Sequence, residues 1–191
     1  MKLAKIAMIV LILSSLAYPQ TKDLGMGAFS NESGPILVAV DASLVNLDKG
    51  SPYVMFVAFM AAAADQAYAV AAKDVVMLYK GQEYRMPSVK ELRDEYRGEI
   101  RDLDFYRHLG KEGINASWIR FYEFPERSNF FPPLTSSAPL AASEGHMAGK
   151  LGFATPLYFK NPGFAKGDKL TIKVRDMKDP SLTGECEVIL N

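Results

Sequence analysis

The sequence predicts an all-β fold, a two-sheet β-sandwich with a helical segment inserted over about residues 88–109. Three observations predict it. Residues 53–87, the most apolar stretch beyond the leader, open with Tyr53, Val54, Phe56, Val57 and Phe59. These are the β-branched and aromatic types that suit a pleated, half-buried surface. The run Val75-Val76-Met77-Leu78-Tyr79 then meets Lys80-Gly81 and returns as Gln82-Glu83-Tyr84, the pattern of a hairpin. Near the C-terminus, Leu170, Ile172 and Val174 alternate with Lys169, Thr171, Lys173 and Arg175, while Cys186, Val188 and Leu190 alternate with Glu185 and Glu187. Period-two alternation means one face buried and one face wet. It turns the lone cysteine, Cys186, into the core, and it lets the basic residues of one outer face pair with the acidic residues of the next.

The chain has 191 residues, enough for one domain with a sizeable core. Residues 1–17 carry the three-part pattern of an export signal: Lys2 and Lys5, an apolar run over 6–13, and Ser15-Leu16-Ala17 with small residues before the expected cleavage. The apolar run is too short to span a bilayer, which takes about 20 residues. Export is therefore the expected address, with no stable membrane insertion after cleavage. The 22 basic and 22 acidic residues balance, so no surplus charge is available to neutralise nucleic-acid phosphates. One cysteine excludes an intramolecular disulfide and any cysteine-rich zinc or iron–sulfur site.

In chain order, residues 18–35 are polar and Gly-rich and read as irregular. Residues 36–47 read as a first strand whose pattern weakens at Asp41. Residues 48–52 form a turn. Within 53–87 the alanines at 61–64 and 67–72 favour helix by propensity, but short apolar runs bounded by turn residues favour strands. Ser88-Val89-Lys90-Glu91 is a capping box. Leu92, Tyr96, Ile100 and Leu103 follow at helical spacing, and Gly98 leaves one helix or two. Residues 114–124, with Trp118, Ile119, Phe121, Tyr122 and Phe124, return to strand character. Residues 125–150 read as a long loop, a feature that is functional or mobile in a compact domain. In 151–159, Leu151, Phe153, Thr155, Leu157 and Phe159 alternate, and Pro156 marks an edge or a bulge. Residues 36–191 thus form one sandwich domain.

Asp74-Val75-Val76-Met77-Leu78, the return Gly81-Gln82-Glu83-Tyr84 and the closing hairpin over 168–190 carry a resemblance. The chain resembles small secreted bacterial domains of the immunoglobulin-like type, which implies an immunoglobulin-like two-sheet sandwich. The resemblance is one of fold and implies no particular activity.

The chemistry in the sequence is sparse. No HExxH, GxSxG or phosphate-binding glycine motif occurs. His108 suits the end of a helix. His146-Met147 combines imidazole with thioether, a pair suited to Cu(I), although two adjacent ligands specify little. The carboxylates of 91–104 are interleaved with Arg93, Arg97 and Arg101, which reads as a solvated helix face rather than an acid–base pair. Asn129-Phe130-Phe131-Pro132-Pro133-Leu134 offers loop aromatics that either anchor a partner or cover an end of the sandwich. Coverage is the favoured reading of these rings; Phe130, Phe131, Leu134 and His146 are the candidate contacts if a partner binds here. The expected function is non-enzymatic binding of a protein or a cell-envelope component, without a cofactor. A hydrolase or a copper carrier centred on His146 and residues 125–150 is the alternative.

Overall fold

The computed structural model describes residues 21–47, 52–63, 65–95, 123–124, 129–131 and 142–190. In these, eleven strands form three antiparallel sheets. The first sheet contains β1 (Lys22–Gly25), β2 (Ala28–Asn31), β3 (Ile36–Asp41), β4 (Tyr53–Ala62) and β9 (Phe153–Lys160), adjacent in that order. The second runs from β11 (Thr183–Ile189) through β10 (Lys169–Arg175) and β6 (Val75–Tyr79) to β7 (Gln82–Arg85). A third pairs β5 (Ala67–Ala71) with β8 (Glu144–Ala148). Two short helices, α1 (Ser43–Leu47) and α2 (Val89–Glu95), and a 3₁₀ turn at Ala72–Asp74 complete the described elements.

Strand β4 is the centre of the molecule. All ten of its residues are buried, so it shows no alternation in the sequence. Its even-numbered side chains Val54, Phe56, Ala58, Met60 and Ala62 enter the main core together with Ile172, Val174, Cys186 and Val188 of the second sheet. Val57 and Phe59 point the other way, into a smaller apolar cluster with Ala28 and Ala39, against which Phe124 packs. The Phe59 and Phe124 rings meet edge to face at 5.4 Å between centroids.

Several expectations hold. The hairpin from β6 to β7 turns at Lys80 and Gly81, whose φ angles of 48° and 78° are those of a type I′ turn. β10 and β11 pair as an antiparallel hairpin with basic residues opposite acidic ones, as expected: Lys173 lies opposite Glu185, their side chains 2.5 Å apart. The capping box forms at α2: Ser88 Oγ accepts from Glu91 N at 3.1 Å, and Ser88 N donates to Glu91 Oε2 at 2.7 Å. Pro156 lies on β9, the last strand of its sheet, where a missing donor is tolerated. The Ala-rich segment is a strand over 67–71, with a single 3₁₀ turn at Ala72–Asp74.

Other expectations are corrected. Among the described residues a third, two-stranded sheet, β5–β8, is present beside the five- and four-stranded sheets. Residues 18–35 are not irregular throughout: β1 and β2 form a hairpin, hidden in the sequence because its turn, Gly25-Met26-Gly27, reads as loop composition. The first strand ends at Asp41 rather than at 47. The Asp41 carboxylate accepts Ser43 N at 2.8 Å and turns the chain into α1. Residues 125–150 are not one loop, since 144–148 form β8; Gly145 and the polar neighbours masked its strand character. Leu151 lies outside β9, half exposed, in the tight connection where Ala148 and Leu151 exchange hydrogen bonds. Of the expected helix over 88–109, the part beyond Glu95 lies outside the described residues, as does the expected strand at 114–124 except Glu123 and Phe124.

The free edge of β11 is capped by side chains. Asn31 Nδ2 donates to Glu185 O at 2.6 Å, and Glu187 N donates to Thr21 Oγ1 at 2.9 Å. These contacts occupy backbone groups that would otherwise template another strand. The same corner depends on Gly184, where an added Cβ would collide with the Ile36 carbonyl and with Val38 Cγ2.

Candidate functional site

The two loop phenylalanines lie against the edge strand β9. Phe130 and Phe131 are each 2% exposed. Phe130 N donates to Thr155 Oγ1 at 3.0 Å, and its ring meets Phe153 at 5.7 Å between centroids. The Phe131 ring meets Tyr158 at 4.8 Å. Phe153 and Tyr158 project from opposite faces of β9 because strand side chains alternate. The pair therefore straddles the sheet edge and covers it. The rings are part of the core and present no exposed aromatic surface. Leu134 lies outside the described residues.

His146 is on β8, paired in register with Ala69. Its side chain is 68% exposed, and Nε2 lies 3.1 Å from Glu144 Oε1 on the same face. Met147 points into the core at 2% exposure. Adjacent strand residues face opposite ways, so the imidazole and thioether do not converge on one ion. Among the described residues, no group of three or more His, Cys, Asp or Glu side chains could hold a metal.

A polar cluster joins α2 to β4, β7 and β9. Tyr53 Oη donates to Glu95 Oε2 at 2.7 Å, and Lys160 Nζ reaches the same oxygen at 3.2 Å. Arg85 binds the Glu91 carboxylate with both terminal nitrogens. The environment sets the protonation states. The Arg85 guanidinium, with the Ser88 donors, pulls Glu91 down to about 2. The Tyr53 phenol and Lys160 hold Glu95 below its ordinary value. Burial and Glu95 push Tyr53 up to about 12. A general acid needs a carboxyl whose pKa is raised toward the working pH. Both carboxylates here are moved the opposite way, and the tyrosine is moved further from acting as a base. The cluster fastens a helix to a sheet.

The hairpin tip between β1 and β2 was not singled out by sequence reasoning. Gly25, Met26 and Gly27 have successive φ angles of 85°, 54° and 84°. A left-handed conformation is uncommon for a residue with a side chain. Met26 is also 87% exposed. Two contacts fix the tip: Gly25 N donates to Asp23 Oδ1 at 2.7 Å, and Ala42 N donates to Gly27 O at 2.9 Å. A Cβ at Gly27 would press on the Ser43 backbone at 3.2 Å, so the tip rests closely on the start of α1. The sequence signal was Gly-Met-Gly between two short segments.

Compared with family models, curated proteins and solved structures, the chain has no match.

Proposed function

We propose that this chain is exported and acts as a non-enzymatic domain that binds a protein or a component of the cell envelope, with the β1–β2 hairpin tip as its contact. The observation that carries this reading is Met26. It is a long apolar side chain, held outward in an unfavourable backbone conformation and flanked by two glycines in the same region. Local strain retained at an exposed position points to use of that position. An unbranched thioether adapts to irregular apolar partners. The export pattern over residues 1–17 supplies the address.

The fold proposed with it is an immunoglobulin-like sandwich. It is supported by two antiparallel sheets that share one core, to which the β5–β8 pair is an addition. The alternative of a hydrolase or copper carrier at His146 has less support, because His146 and Met147 face apart.

Two measurements test the proposal. The intact mass of the protein from its native host should correspond to an N-terminus at Tyr18; a chain retaining residues 1–17 contradicts export. The mature protein should co-sediment saturably with envelope fragments of that host, or with a protein on them. Absence of binding, with turnover in a hydrolase screen or stoichiometric Cu(I) uptake, favours the alternative.

A further inference from the structure

The fold separates its sulfur atoms sharply. Nine methionines and one cysteine occur in the chain. Met1 and Met8 precede the described residues. Of the others, Met55, Met60, Met77, Met86 and Met147 are buried, Met177 is 39% exposed and Met26 is 87% exposed. Cys186, ordinarily the first sulfur to react with an oxidant, has no exposed surface. Its neighbours in the core include Val188 and Ile172, and it reacts only if β11 opens.

We propose that Met26 is the site at which hydroperoxides oxidise this protein, ahead of every other sulfur among the described residues. A thioether lone pair of Met26 attacks one peroxide oxygen. An S–O bond forms as the O–O bond breaks. Sulfur is oxidised by two electrons to the sulfoxide, and the peroxide is reduced to water, or to an alcohol if it is organic. No base or metal is needed. The exposed tip leaves the sulfur open to approach, and the contacts of Gly25 and Gly27 hold it away from the core. The product changes a flexible apolar side chain into a polar one. Because Met26 lies outside the core clusters, the change alters the tip and leaves the fold intact. This inference stands whatever the tip binds.

The test treats the folded protein with hydrogen peroxide, quenches with catalase, and quantifies sulfoxide at each methionine by peptide mass spectrometry. Met26 should oxidise at least about tenfold faster than Met55, Met60 and Met77, with Met177 between, because buried sites react only through opening. In guanidinium the rates should converge. The singly oxidised protein should keep its thermal midpoint, and Met26→Leu should lose the fast phase. Oxidation of Met26 no faster than that of the buried methionines, oxidation of Cys186 first, or a fast phase that survives in Met26→Leu would each overturn the proposal.

Discussion

Asp176 Oδ1 accepts the backbone N–H of Ala69 at 2.9 Å, across 107 positions of the chain. The next residue returns the contact, Met177 N donating to Ala69 O at 2.7 Å. The two residues just after β10 thus bond Ala69 on the edge of β5 that β8 leaves open. Strand β5 is bonded to β8 along one edge and held at Ala69 on the other, which favours the extended form of an alanine-rich segment over its helical propensity. The other Asp176 oxygen accepts Lys178 N at 3.0 Å and Asp179 N at 2.8 Å, shaping the turn into β11.

Burial pushes the Asp176 carboxyl up, but the N–H groups of Ala69, Asp179 and Lys178 outweigh it and hold the pKa below the ordinary 3.8. A depressed folded-state pKa stabilises the fold above the unfolded value, and that stability is lost as pH falls through the folded value. Asp176→Ala should lower folding stability by about 2–4 kcal/mol at neutral pH, since it leaves buried donors unpaired. Denaturant titrations should show the gap to the parent narrowing below pH 4. A gap that is unchanged in acid contradicts this role.

Asp41 behaves in the opposite sense. It is buried, and desolvation raises its pKa above 3.8 despite the side-chain and backbone hydrogen bonds with Ser43. A raised folded-state pKa in a carboxylate means that stability is present at low pH and is lost as pH rises through the folded value. Asp41→Asn keeps an acceptor for Ser43 N and removes the buried charge. It should raise the thermal midpoint at pH 7 and lose this advantage in acid. A lower midpoint at pH 7 would show that the charge itself is needed there.

Phe130 and Phe131 cover both faces of β9 at the sheet edge. Replacing either by alanine should destabilise the fold by about 3–5 kcal/mol, the usual effect of emptying a buried phenylalanine site. Thermal melts read the result. A midpoint equal to the parent's would mean that the rings do not pack on Phe153 and Tyr158.

Cys186 is fully buried, and desolvation pushes its thiol up to about 12, against the lowering effects of Thr21 and Val40. A thiol reagent should label it only as fast as the protein unfolds, and at once in denaturant. Labelling of the folded protein within seconds would place β11 in a different register.

What could be read in the sequence follows from where alternation survives. β10 and β11 have one wet face, so their alternation, the match of basic to acidic outer faces and the inward Cys186 were visible. β4 is buried on both faces, and its partners could not be read from its pattern. β8 was hidden by Gly145, whose lack of a side chain is what lets the Phe153 ring approach. β1 and β2 were hidden by Gly25 and Gly27 at the turn between them, where the backbone is left-handed. The aromatic loop was visible as a motif, but its burial depends on Thr155 and Tyr158, far along the chain. Met26 gave no chemical signal, since only its backbone angle and exposure single it out.

The central claim, that the β1–β2 tip is a contact surface, is tested by Met26→Asn. Asparagine tolerates the left-handed conformation and removes the apolar side chain, so the fold should be at least as stable as the parent. Binding of parent and variant to the same envelope preparation should be measured by titration, with thermal melts on the same samples. The account predicts an unchanged or higher midpoint and an affinity weaker by at least about tenfold, or about 1.4 kcal/mol. Equal affinity for parent and variant would contradict it.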